Sequence, residues 1–233
     1  MALYEIAGIV TQYCARGRML KGRSEKYRVE GERDPLIKFD ITDEEIVSFR
    51  GRTPLLSDTE REYMIAGAKF YKELIKFSGM LLHSSAVVLD GEAYLFSAPS
   101  GTGKSTHTSL WLEHFGDRAF ILNDDKPAIR VTNSGVMVYG TPFSGKNDIS
   151  ENIGVPLKSI AVLSRGETNV AQKLSEPQAI YALLNQSVRP QEEELMDCLM
   201  KTIENVISNV SVIGFSCNVS DEAVVTAYNA MRG

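Results

Sequence analysis

Cysteine is scarce in this chain: Cys14, Cys198 and Cys217 are its only three, and they lie far apart. No two have the spacing of a metal clip or a redox motif, and an odd number without a framework excludes a disulfide scaffold and fits a reducing compartment. Long apolar runs are missing as well. Nothing approaches the roughly 20 consecutive apolar residues that span a bilayer, so neither a transmembrane helix nor a membrane partner is expected. The chain does not begin with a basic region followed by a long apolar run, so no signal peptide is expected and a cytoplasmic location is. Basic runs are absent too. The 25 Lys and Arg against 30 Asp and Glu leave a net charge of −5, which argues against nucleic acid as a partner. One local basic concentration, Arg16, Arg18, Lys21, Arg23, Lys26 and Arg28, reads either as a solvated loop or as a contact for an acidic partner. With no repeats, low-complexity tracts or flexible linker, 233 residues suit one core with an appended subdomain.

The hydrophobic pattern implies a mixed α/β chain. Residues 3–13 are rich in β-branched and aromatic side chains and predict a strand; shorter strands are expected at Tyr27–Glu30 and Leu36–Asp40. Ser57-Asp58-Thr59-Glu60 fits a capping box, and apolar residues at helical spacing follow it, predicting a helix over 58–77 that stops near Gly79. Met80–Leu89 and Glu92–Ser97 predict a hairpin turning at Asp90-Gly91. Further strands are expected at Arg118–Leu122, Ile129–Val131, Val136–Tyr139 and Ser159–Leu163. The last third predicts helices after Ser175-Glu176-Pro177-Gln178 and over 190–209, a strand at Val210–Phe215 and a closing helix at Asp221–Met231. The methionines of the 190–209 stripe read as core filler rather than a binding surface. These signals divide the chain into an N-terminal accessory α/β module, residues 1–78, and a core with C-terminal helices, residues 79–233.

Between the expected strand Tyr94–Phe96 and a helix from Lys104 to about Glu113 stand Ala98-Pro99-Ser100-Gly101-Thr102-Gly103-Lys104-Ser105-Thr106. They match the phosphate-binding P-loop pattern, with Ala98 in place of its first glycine. A helix N-terminus offers unpaired N–H groups and a partial positive charge to an anion. Ser100, Gly101, Thr102, Gly103, Lys104, Ser105 and Thr106 are therefore the candidate nucleotide contacts. Lys104 is placed to reach the terminal phosphates and Ser105 to offer its hydroxyl to Mg2+. The competing reading is a Gly/Ser-rich turn before a helix.

Three further places could carry chemistry. Asp124-Asp125 ends a strand 20 residues after Lys104, where one carboxylate could hold the metal of a nucleotide and the other take a proton from an attacking hydroxyl. Adjacent aspartates also form plain turns. His83 lies in the strand that the hairpin pairs with the strand feeding the loop, and is either an ordinary strand histidine or a metal ligand or donor near the γ-phosphate. The stretch from Gly140 to Asp148, with Lys146, suits either a surface turn or an anion-contacting loop in which Lys146 neutralises a transferring phosphoryl group.

His83-Ser84-Ser85-Ala86, the hairpin, Ser100–Ser105 and Asp124-Asp125 together resemble the kinase core shared by HPr kinase/phosphorylase and the ATP-dependent phosphoenolpyruvate carboxykinases, over about residues 79–165. The resemblance implies a P-loop kinase core with a mixed sheet, and ATP with Mg2+, or Mn2+ in its place, as cofactors. It also implies Lys104 on the β- and γ-phosphates, Ser105 and Asp125 on the metal, Asp124 as general base, and His83 beside the transfer centre, a metal ligand in the carboxykinases. Thr106 follows Ser105 as in the carboxykinases, where HPr kinase has a glutamate. The carboxykinases' metal-binding lysine has no match, since Lys69 falls inside a helix, and residues 1–78 resemble neither family. The implied activity is transfer of the γ-phosphate to the hydroxyl of a protein, peptide or small molecule, serine first among them, with a homo-oligomer compatible. The alternatives are carboxykinase-like chemistry and a non-catalytic nucleotide-binding regulator.

Overall fold

Alternation of burial across a sheet explains the architecture. In a computed structural model describing residues 1–233, strands β5 (Ser84–Leu89) and β6 (Glu92–Ser97) are buried on both faces. Ala86, Val88, Ala93 and Leu95 point into one core, while Val87, Leu89, Tyr94 and Phe96 point into another. A strand covered on both sides reads as a continuous apolar run, which is what Ala86–Leu89 and Ala93–Phe96 within these two strands are. Helices α5 (Glu176–Asn185) and α6 (Glu193–Asn209) cover the first face with Leu183, Leu199, Ile203 and Val206. Helices α4 (Lys104–Phe115) and α7 (Asp221–Met231) cover the second with Trp111, Val224 and Ala227.

The sheet is mixed and has nine strands. Strands β4 (Gly79–Leu81), β8 (Ala128–Thr132), β9 (Gly135–Tyr139), β10 (Gly154–Arg165), β6, β5 and β7 (Ala119–Asn123) lie in that order. Strand β12 (Ser211–Cys217) runs parallel to β10, with β11 (Val170–Lys173) antiparallel beside it. Strand β10 is also parallel to β6, and β5 is antiparallel to both β6 and β7. The C-terminal ends of β6, β7, β10 and β12 therefore all open at the same edge, the usual place for a ligand in an open α/β sheet.

Four of the expected strands are corrected by the structure. Residues 3–13 form not one strand but a hairpin, β1 (Ala2–Ile6) and β2 (Ile9–Tyr13), because Ala7 and Gly8 both take positive φ. Met80–Leu89 is likewise broken: β4 pairs with β8, β5 pairs with β6 and β7, and Leu82-His83 is the step between them. No strand forms at Tyr27–Glu30, where a single bridge joins Tyr4 to Arg28, and Leu36–Asp40 contributes only β3 (Ile37–Lys38). Two helices were not expected: α1 (Arg18–Ser24) and α2 (Asp43–Arg50), the latter with a full Thr42/Glu45 capping box. The helix expected over 58–77 is α3 (Asp58–Leu74) followed by a 3-10 turn. No helix is long and apolar enough to cross a membrane.

The N-terminal residues pack around α3. Tyr4, Ile6, Tyr13, Leu20 and Tyr27 join Phe70, Tyr71 and Leu74 in a cluster that also takes in Leu81, Ala128 and Phe143. Glu62 of α3, only 2% exposed, accepts the Arg16 and Gly17 amides at 2.8 and 2.6 Å and so satisfies the start of α1. Glu62→Ala would take the partner from both amides, which are part-buried, and leave a void where the buried side chain was. We expect it to cost about 2–3 kcal/mol and to lower Tm by roughly 5–10 °C in a thermal melt.

Candidate functional site

Three segments meet at the open edge of the sheet. Strand β6 ends at Ser97 and delivers the loop Ala98–Gly103, after which Lys104 begins α4. Gly101 and Gly103 have φ of 79° and 119°, values that a side chain resists, so glycine is required where the loop folds back on itself. Lys104 is only 9% exposed, and its Nζ donates to the Ala98 carbonyl across the loop at 2.7 Å. Burial pushes its pKa below the ordinary lysine value, with the Asp125 carboxylate opposing. Arg165, at the end of β10, donates to the carbonyls of Thr102 (3.1 Å) and Gly101 (2.6 Å) and straps the loop from outside.

The second segment follows β7. Asn123 is fully buried, and its Oδ1 accepts the amides of Asp125 (3.1 Å) and Lys126 (2.8 Å) in a tight Asx turn. That turn sends the two aspartates to different partners. Asp124 Oδ1 accepts the Gly145 amide at 2.6 Å. Asp125 faces His83 Nε2 at 3.2 Å and pairs on its other oxygen with Lys126. Burial raises the pKa of Asp124, the Asp125 charge adding to it and the Gly145 amide opposing. Burial acts on Asp125 in the same direction, but the His83 hydrogen bond and Lys126 outweigh it and hold its pKa at about 2. Two neighbouring carboxylates thus have pKa values pushed apart, the pattern of a proton acceptor beside a permanent anion.

The third segment is the step between β4 and β5. Because the ladder breaks there, the His83 amide donates to the Gln186 carbonyl (2.7 Å) and its ring Nδ1 lies 2.9 Å from Gln186 Oε1. Its carbonyl accepts the Ser97 hydroxyl at 3.0 Å, which ties this step to the end of the loop-bearing strand. His83, Ser100, Gly101, Gly103, Lys104, Ser105, Thr106, Asp124, Asp125 and Lys146 all line one cleft of about 500 Å3, together with Gly145, Asn147 and Arg165, and none of its lining residues is hydrophobic. Of the residues singled out from the sequence, only Thr102 stays outside that lining; its hydroxyl is turned back onto the Pro99 carbonyl at 2.9 Å.

No cluster of three or more His, Cys, Asp or Glu side chains is arranged to hold a metal ion. Ser105 and Asp125 nonetheless fit Mg2+, a hard cation that takes few protein oxygens and completes its shell with phosphates and water. Lys69 is not part of the site: its Nζ lies 2.6 Å from both the Asp40 carbonyl and the Glu45 carboxylate.

Of the basic N-terminal cluster, Arg16, Arg18, Lys21, Lys26 and Arg28 are exposed, as a solvated segment would have them, although residues 18–27 form α1 and a 3-10 turn rather than a loop; Arg23 alone is buried. Arg23 is buried and donates to the carbonyls of Ser144 (2.8 Å) and Gly145 (2.9 Å) and to the Tyr63 hydroxyl (2.9 Å), with Asp148 at 3.3 Å. Lys26 reaches the Ser150 carbonyl, and Arg16 pairs with Asp43 at 2.9 Å. Arg23 therefore fixes the loop whose Gly145 amide holds Asp124. Sequence reasoning had Arg23 only as one of a basic cluster and Gly145 only as part of the Gly140–Asp148 stretch, and it missed Arg165 and Gln186, since each acts through a partner more than 20 residues away. Asn123 carried a signal, an Asx residue opening a turn at a strand end.

The profile of the family described as "ScmC: SynChlorMet cassette protein ScmC" matches residues 61–215, about two thirds of the chain. The chain belongs to the ScmC family. The ScmC match takes in the whole cleft, from His83 to Arg165, and leaves Arg23 outside it. A search of the curated proteins finds no match to this ScmC-family chain. Among solved structures it is similar to the Hpr(Ser) kinase/phosphatase from Coxiella burnetii, with a TM-score of 0.36 and 12% identity, over 65% of this chain and 93% of that one.

Proposed function

We propose that this chain is a phosphotransferase that uses ATP and Mg2+ to phosphorylate a hydroxyl group, serine of a protein or peptide first among the acceptors. The observation that carries the reading is the convergence on one wholly polar cleft of a glycine-rich loop at a helix N-terminus, its lysine, and two carboxylates with separated pKa values. Such a reaction needs positioning and charge neutralisation more than covalent chemistry. The first-turn amides of α4 and Lys104 bind the phosphates, Lys104 exchanging the Ala98 carbonyl for a phosphate oxygen. Mg2+, held by Ser105 and Asp125, would neutralise charge on the β- and γ-phosphates. Asp124 accepts the proton of the acceptor hydroxyl as its oxygen bonds to the γ-phosphorus and the bond to the bridging oxygen breaks, leaving ADP. His83 orients Asp125, and Lys146 meets charge on the group in transfer. The choice of a serine acceptor rests on the resemblance to HPr kinase.

The test follows γ-labelled ATP into a host-cell extract, with Asp124→Asn as the control. Label in a macromolecular fraction, lost with the variant, is the expected result; label in a small metabolite would reassign the acceptor. Absence of any Asp124-dependent transfer would overturn the proposal in favour of a nucleotide-binding regulator.

Gly145→Ala probes the support of the base. Its added Cβ would lie 2.9 and 3.0 Å from the two Asp124 carboxylate oxygens, so the carboxylate must shift. We expect transfer to fall by about tenfold through misplacement of the base, with ATP affinity unchanged in a binding titration.

A further inference from the structure

Beside the polar cleft lies a second cavity, of about 290 Å3, with a different chemistry. Leu110, Leu163, Cys217 and Val219 give it an apolar lining, and His107 of α4 contributes to its wall. Gly103, Thr106 and Arg165 line both this cavity and the cleft, so the two adjoin at the first turn of α4. The wall is rigidly built: Arg165 is bound to the loop carbonyls, and Asn218 binds the Glu167 carbonyl at 3.0 Å and the Ser220 hydroxyl at 2.6 Å.

The two walls of this cavity differ, one carrying a buried imidazole and the other an exposed valine. His107 is 4% exposed and packs edge-on against Phe96 and Phe215, at 4.8 and 5.6 Å between ring centres. Trp111 Nε1, which can only donate, lies 3.2 Å from His107 Nε2; the imidazole proton is thereby assigned to Nδ1. Nδ1 is the one buried side-chain nitrogen or oxygen in the molecule without a partner. Val219, at the other wall, is 72% exposed, a large apolar side chain left in water.

We infer that this cavity holds the nucleobase of the nucleotide whose phosphates occupy the polar cleft. The inference rests on the phosphate-binding reading of that cleft and adds where the rest of the ligand goes. A phosphate chain seated on the α4 amides leaves its nucleoside to pass over Gly103, Thr106 and Arg165, and a nucleobase is a flat apolar body with polar edges, suited to a mostly apolar slot. Val219 then covers one face of the base, and Leu110, Leu163 and Cys217 give it an apolar bed.

Mg·ATP and Mg·tripolyphosphate, titrated in parallel, test the inference. Val219→Asp changes an exposed residue, so the fold is retained. We expect it to weaken ATP by about tenfold, through loss of apolar contact, and to leave tripolyphosphate unchanged. Alkylation of Cys217 in a Cys14→Ser, Cys198→Ser background is the second readout, at alkaline pH because burial raises this thiol's pKa. ATP should slow it several-fold and tripolyphosphate should not. If both ligands bind but ATP protects Cys217 no better than tripolyphosphate, and Val219→Asp shifts neither affinity, the base lies elsewhere and the inference falls. If neither ligand binds the unmodified protein, the phosphate reading fails first and this inference with it.

Discussion

Asp124→Asn is expected to abolish phosphoryl transfer while leaving ATP affinity intact. The carboxamide has the shape of the carboxylate, and its oxygen can still accept the Gly145 amide that holds Asp124 at 2.6 Å. What it lacks is basicity. In the native site burial raises the Asp124 pKa, and no cation pairs with this carboxylate, whereas Asp125 is held by His83 and Lys126. Asp124 is thus the carboxylate free to take a proton. A positioned general base contributes roughly 10^2- to 10^4-fold, so the transfer rate should fall by that factor. Single-turnover transfer and an equilibrium binding titration on the same preparation separate the two effects. An unchanged transfer rate would show that the proton leaves by another route, and a matching loss of ATP affinity would make Asp124 a binding residue instead.

Lys104→Ala is expected to do the converse. Its ammonium sits at the start of α4, mostly buried, with the Ala98 carbonyl as its hydrogen-bond partner. Burial already disfavours its charge, so a triphosphate gives that charge a far better partner than a single carbonyl oxygen does. Removing one hydrogen bond between charged groups costs about 1.5–3 kcal/mol, which corresponds to roughly 10- to 100-fold in Kd. The loss should appear with tripolyphosphate as fully as with ATP, because the contact is to phosphate alone. Equal affinities for variant and native protein would remove the loop Ala98–Gly103 from the binding site.

Much of this was legible in the sequence wherever the signal is local. The capping boxes at Ser57/Glu60 and Ser175/Gln178 each lie within four residues, and both helices begin there. Thr42 and Glu45 carry the same signature before α2, although the surrounding residues lack a strong apolar stripe. The strand, loop and helix over 94–115 follow from an apolar run, two glycines and a lysine next to one another. The placement of Asp124-Asp125 at a strand end follows from the apolar stretch before it.

What the sequence by itself determined is therefore the set of elements and the chemically capable residues near their ends, because turn chemistry, capping and side-chain periodicity act over a few neighbours. The tertiary structure alone decided how those ends meet. It broke Met80–Leu89 at Leu82-His83, since one half pairs with β8 and the other with β6 and β7, and so turned His83 toward Asp125. It buried Arg23 of the basic N-terminal cluster, so that its guanidinium grips carbonyls more than 120 residues away and the Gly145 amide meets Asp124. It set the apolar cavity at His107 and Val219 beside the polar cleft. Pairing partners of a strand, and the partner that lets an arginine be buried, are set by the whole packed sheet; no local pattern encodes them.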